Sequence, residues 1–172
     1  MRYQPVSLIL FIGLLLHAIV AGAEATLENT PYRDEQKVAF DFFLDDPGKT
    51  SAALFWVRSY INPLLNAPYD KAPAFMDIKV IMHGTELVTI AKKNYEKYRE
   101  VVERMKYYHA LGVEFRVCAL AMEDYDYTTK DLQDFIVVTP SAIVELAHWQ
   151  QEGYALIRPA VYTRSKSVQE IR

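Results

Sequence analysis

The most nucleophilic side chain in this 172-residue chain is the thiol of Cys118, its only cysteine. It closes the stretch Gly112-Val-Glu-Phe-Arg-Val-Cys118-Ala119, where apolar and β-branched residues follow a glycine stop and lead into a helix-like run at 119–122. That is the layout of a buried strand delivering one side chain to its carboxyl end. In open α/β sheets ligands bind in the crevice outside those ends. A thiol there is suited to attack on sulfur, and a helix beginning beside it favours the attacking anion through its dipole. Glu123, Asp124 and Asp126 bring opposing negative charge to the segment that follows. Val117 and Ala119 also suit a buried cysteine that behaves as a small hydrophobe.

A second candidate, His83, ends the apolar run 77–82 and so occupies the carboxyl end of another strand. It either lines the same rim as Cys118 or hydrogen-bonds a neighbouring loop. His17, His109 and His148 show no metal-site spacing with His83 or Cys118, so neither a metal nor another cofactor is expected. Gly48-Lys49-Thr50 has the end of a phosphate-binding loop but not its beginning. Phe43 stands where the first glycine is required, and Asp45 and Asp46 would repel a phosphate.

The elements that must position these residues alternate along the chain. Strands are expected at 37–44, 77–82, 113–118, 135–138 and 154–158. Apolar residues at three- and four-residue steps predict a helix over 53–64, ended or kinked by Pro63, and another over 94–111, stopped by Gly112. Residues 85–93 and 119–122 read as helical, 128–132 as a short helix capped by Thr128, and 141–152 as an amphipathic helix ended by Gly153. For that last helix Thr139 is the expected N-cap, with Pro140 at the first helical position. Five strands separated by helices predict a mostly parallel sheet with helices on both faces.

Composition sets the outer limits. The chain is 51% hydrophobic with a formal charge of −3, and its charges are interspersed, which fits one globular domain and excludes a nucleic-acid footprint. Residues 1–23 read as a secretory signal peptide, with Arg2 before an apolar run at 8–20 and Ala21-Gly22-Ala23 as the cleavage site. The run is short for a spanning helix, so no membrane attachment is expected after cleavage, with an uncleaved anchor as the minority reading. Residues 24–35 read as a mobile arm, 36–159 as the domain, and 160–172 as a flexible polar tail. An odd cysteine in an exported protein is buried and inert, paired with another molecule, or reactive.

The motifs, taken in order, resemble the DsrE/DsrF-like family. They are Val80-Ile-Met-His83-Gly84, the stretch from Gly112 to Ala119, Asp131-Leu132, Val137-Val-Thr-Pro140-Ser141, Val144-Glu145-Leu146 and Gln151-Glu152-Gly153-Tyr154-Ala155-Leu-Ile157-Arg158-Pro159. The likeness runs from about residue 36 to 159 and is greatest to the signal-bearing branch of that family. It implies a three-layer α/β/α fold, assembly into trimers or hexamers, and transfer of sulfane sulfur on a cysteine just after the third strand. Cys118 matches that position as persulfide acceptor, and a sulfur donor or acceptor protein would be its partner. The export signal implies a periplasmic or otherwise exported sulfurtransferase or carrier. The alternative is a non-catalytic oligomeric module of the same fold, binding a small ligand or protein, with Cys118 as a structural residue.

Overall fold

The computed structural model describes residues 25–32 and 35–172, so the expected signal peptide lies outside the described residues. Residues 25–30 are exposed and carry no regular structure. From residue 31 onward the chain is one unit built on five strands. These are β1 (Gln36–Phe42), β2 (Met76–Met82), β3 (Glu114–Cys118), β4 (Ile136–Thr139) and β5 (Ala155–Ile157). All pairs are parallel and the spatial order is β4-β3-β2-β1-β5, the parallel sheet that alternating strands and helices require.

Each strand of a sheet sends alternate side chains to opposite faces. One face carries Phe40, Phe42, Val80, Met82, Phe115 and Val117, buried against α1 (Thr50–Leu65) and α2 (Tyr95–Ala110). The other carries Ala39, Ile81 and Cys118 under α4 (Ala142–Gln151), which follows the single-turn α3 (Ala119–Glu123). The result is a three-layer α/β/α fold, with the larger core on the α1/α2 side.

The expected helix over 85–93 is instead two 3₁₀ turns, Thr85–Thr89 and Lys92–Asn94. Glu86 folds back onto three backbone amides, and Ala91 bridges to Leu132, so this segment is committed to the strand ends and not to a helical ladder. The helix after Cys118 stops at Glu123, because Asp126 takes φ 54° and turns the chain. Thr128 caps a 3₁₀ turn, Thr129–Asp131, in a reciprocal capping box. Pro63 stands inside α1, which continues to Leu65. Ser141, not Thr139, is the N-cap of α4; Thr139 belongs to β4 and its hydroxyl donates to the Val117 carbonyl. The last residues hold a single helical turn, α5 (Val168–Ile171), capped by Ser167 and Glu170.

Candidate functional site

Two chain crossings define the site. The segment after β3 turns toward the α1/α2 layer, where Met122 and Leu132 join the larger core, whereas β4 leads into α4 on the opposite face. Adjacent parallel strands whose connections leave on opposite sides open a crevice between their carboxyl ends, which is where such sheets bind ligands. Cys118 lies at that point, paired in register with Thr139. The N-terminus of α4 opens on the same crevice, since Ala142 shares the Cys118 cluster, and its dipole favours an anion there. The five-residue α3, whose dipole the sequence offered, is too short to supply much of that field.

Cys118 is 6% exposed and belongs to the buried cluster that also holds Ala39, Ile81, Ala142, Leu146 and Tyr154. His83 is its neighbour on the next strand. The last β2–β3 pair is Met82 with Val117, and His83 and Cys118 are the next residue on each strand. The amide of His83 donates to the Phe42 carbonyl, which extends the β1–β2 ladder to this residue. The strand alternation puts His83 on the same face as Ile81 and Cys118.

No local pattern in the sequence singles out the groups that hold His83. Its Nε2 lies 2.7 Å from Oδ1 of Asp41, a residue of β1 on the same face. The other carboxylate oxygen of Asp41 lies 3.5 Å from Nε of Arg158, just past β5. Phe43 stacks on the His83 ring with centroids 4.8 Å apart and planes at 18°, and the Arg158 guanidinium lies 5.6 Å from the Phe43 ring centroid. Beneath the ring, Glu86 Oε1 accepts from the amides of His83 and Gly84, both at 2.8 Å, while Oε2 accepts from Leu44 at 3.0 Å. Burial pushes the Glu86 carboxyl above its usual range, outweighing the four backbone hydrogen bonds that lower it. Gly84 permits this contact, because a Cβ there would stand 2.5 Å from the Leu44 nitrogen.

A second polar group occupies the same sheet face under α4, nearer the amino ends of the strands. Lys79, 5% exposed, reaches Asp77 and Glu114 and lies 4.8 Å from the Trp149 ring centroid. Arg116 joins Glu114 to Glu145, and Glu145 also accepts from Trp149 Nε1. The Tyr154 hydroxyl donates to Asp77, and burial together with that bond raises its pKa. Each of these five charges has a partner, which marks the group as a structural support for α4.

The Gly48-Lys49-Thr50 turn satisfies itself and leaves no phosphate cradle. Asp46 accepts from the Gly48 amide, and Lys49 pairs with Asp45 at 2.8 Å. Among the described residues no group of three or more His, Cys, Asp or Glu side chains is placed to hold a metal ion. No helix among them is long and apolar enough to cross a membrane.

Comparison with known proteins agrees with this architecture. The model of the DsrE/DsrF-like family matches residues 30–159. The chain is similar in structure to the protein of unknown function MTH1491 from Methanobacterium thermoautotrophicum, at a TM-score of 0.58 and 20% identity, over 73% of this chain and 100% of that one. At that identity the likeness speaks for the fold alone. No curated protein matches the chain.

Proposed function

The chain belongs to the DsrE/DsrF-like family, and from that premise we propose that it is an exported sulfur-handling protein in which Cys118 accepts a sulfane sulfur as a persulfide. The observation that carries this reading is the place of Cys118, at the carboxyl end of an interior strand and on the crevice where the chain crossings diverge. The thiolate attacks the outer sulfur of an anionic donor such as thiosulfate. The sulfur–sulfur bond breaks, sulfite departs with the electron pair, and Cys118 is left as a persulfide anion. His83 lines the rim one strand away.

Assembly into a homo-oligomer belongs to the same proposal. It is supported by large apolar side chains left in solvent on two sides of the unit, Phe55 and Tyr107 on α1 and α2, and Ile143 and Val144 on α4. A sulfur donor or acceptor protein is the partner proposed with this reading. Export rests on the amino-terminal residue pattern at 1–23.

Intact-mass measurement of the mature protein after exposure to thiosulfate or polysulfide tests the reading. The expected result is a gain of about 32 Da per sulfur atom, reversed by reductant and absent in Cys118→Ser. The same spectrum shows whether the mature chain begins at Glu24.

The 6% exposure of Cys118 favours a second reading, a non-catalytic oligomeric module in which the cysteine is structural and the crevice takes a small ligand or a partner. Under it the mass is unchanged, and Cys118 resists alkylation until the protein is denatured.

A further inference from the structure

We propose that Asp41 is a positioning residue acting through His83, and that His83 is the base that takes the Cys118 proton during sulfur loading. This inference rests on the carrier reading above. Its physical basis is a row of side chains from four adjacent strands: Arg158 after β5, Asp41 on β1, His83 after β2 and Cys118 on β3. Arg158 and Asp41 are level in register, one step past the Phe40–Ile157 pair, and His83 and Cys118 are level one step past Met82–Val117.

An ionised carboxylate only accepts hydrogen bonds, so the bond between His83 and Asp41 places the ring proton on Nε2. The lone pair of the neutral imidazole is then on Nδ1, and Nδ1 accepts no hydrogen bond among the described residues. The ring is held on one face by Phe43, at its backbone by Glu86 and at its outer nitrogen by Asp41. Arg158 lies against the second oxygen of Asp41 and so helps to aim that carboxylate. The charged or titratable groups around the ring are therefore Asp41 from β1, Arg158 behind it, Glu86 from the 3₁₀ turn below and Cys118 from β3. Such fixation of a catalytic side chain by a second group is what a base needs to act without reorganising. Hydrogen bonds of this kind are commonly long before a substrate is bound, and no hydrogen bond joins Cys118 to the ring among the described residues.

In the proposed step Nδ1 of His83 takes the proton from Sγ, and the thiolate attacks the outer sulfur of thiosulfate. The new sulfur–sulfur bond forms as the old one breaks, and the leaving sulfite takes the proton back from the imidazolium. Cys118 ends as a persulfide anion, hydrogensulfite is released, and His83 returns to its starting state. Asp41 stays ionised throughout and stabilises the imidazolium between the two transfers.

The test is the rate of thiosulfate loading, read by intact mass across pH, for the wild-type protein and for His83→Gln, Asp41→Asn and Asp41→Glu. His83→Gln is expected to slow loading about 100-fold and to remove the limb of the pH profile that follows imidazole titration. Asp41→Asn still accepts a hydrogen bond but lacks the charge, so it is expected to slow loading about tenfold, with Asp41→Glu recovering most of the loss. Circular dichroism and the melting temperature report whether each variant is folded. Nitrogen-15 spectra of the wild-type protein read the His83 tautomer directly, and they decide the matter if a variant does not fold. A proton on Nδ1 of neutral His83, or wild-type loading by folded Asp41→Asn, overturns the inference and leaves the carrier reading intact. A wild-type protein that takes up no sulfur overturns both.

Discussion

Glu86 is fully buried, and it does the work of a loop anchor with a group that water would normally keep. Its carboxylate ties the chain leaving β1, at Leu44, to the chain leaving β2, at His83 and Gly84. Removing it strands three amides, each of which costs about 1–3 kcal/mol when left without a partner, although loss of a buried charge offsets part of this. Glu86→Ala is therefore expected to destabilise the fold by about 3 kcal/mol, read from urea unfolding midpoints. Glu86→Gln, which keeps the acceptor facing His83 and Gly84, is expected to lose less. None of this was visible in the sequence, where Glu86 is one acid among 22 acidic residues and its burial depends on the β1 loop 42 positions away.

At the scale of elements, two helices end by the same device. Gly112 and Gly153 take φ 97° and 88°, and each donates back to the third residue before it. The residues that follow, Val113 and Tyr154, donate to Tyr108 and Trp149, completing a Schellman motif at the end of α2 and of α4. A Cβ on Gly112 would meet nothing within 4 Å, so the cost of Gly112→Ala is backbone strain alone. It is expected to be about 1 kcal/mol, seen as a lower melting temperature with sulfur loading on Cys118 unchanged. Both glycines were legible as helix stops because the requirement is local. The 3₁₀ turns after β2 were not, because the apolar spacing of 85–93 suits a helix and only the contacts of Glu86 and Ala91 override it.

For the molecule as a whole, the paired charges under α4 set how the fold responds to acid. Burial alone would raise the Asp77 carboxyl, but the bonds from Lys79 and Tyr154 hold it below its ordinary 3.8. Burial would raise Glu114 too, and Lys79 with Arg116 hold it below 4.5. Carboxyls lowered in the folded state contribute stability that is complete above those ordinary values and is lost as pH falls through the lower folded ones. Glu86 has the opposite sign: its contribution is complete below 4.5 and is lost as pH rises through its raised folded value. The melting temperature is thus expected to fall as pH drops below about 4.5, and Lys79→Met is expected to flatten that acid limb while lowering stability at neutral pH. Thermal scans of both proteins from pH 3 to about 7 check this.

The sequence by itself determined the five strands, the α/β layering and the place of Cys118 and His83 at strand ends, since alternation, helical periodicity and glycine stops act over a few residues. It also carries enough ordered motif, from Val80 to Pro159, for the DsrE/DsrF-like resemblance to be legible in it. Strand order was decided only by the tertiary structure. Placing β5 beside β1 brings Arg158 to Asp41, and placing β1 beside β2 brings Asp41 to His83, across 117 and 42 positions of sequence. Such contacts depend on which strands become neighbours, and no local pattern encodes that. The burial of Cys118 has the same origin, because α4, which covers it, begins 24 residues further along the chain.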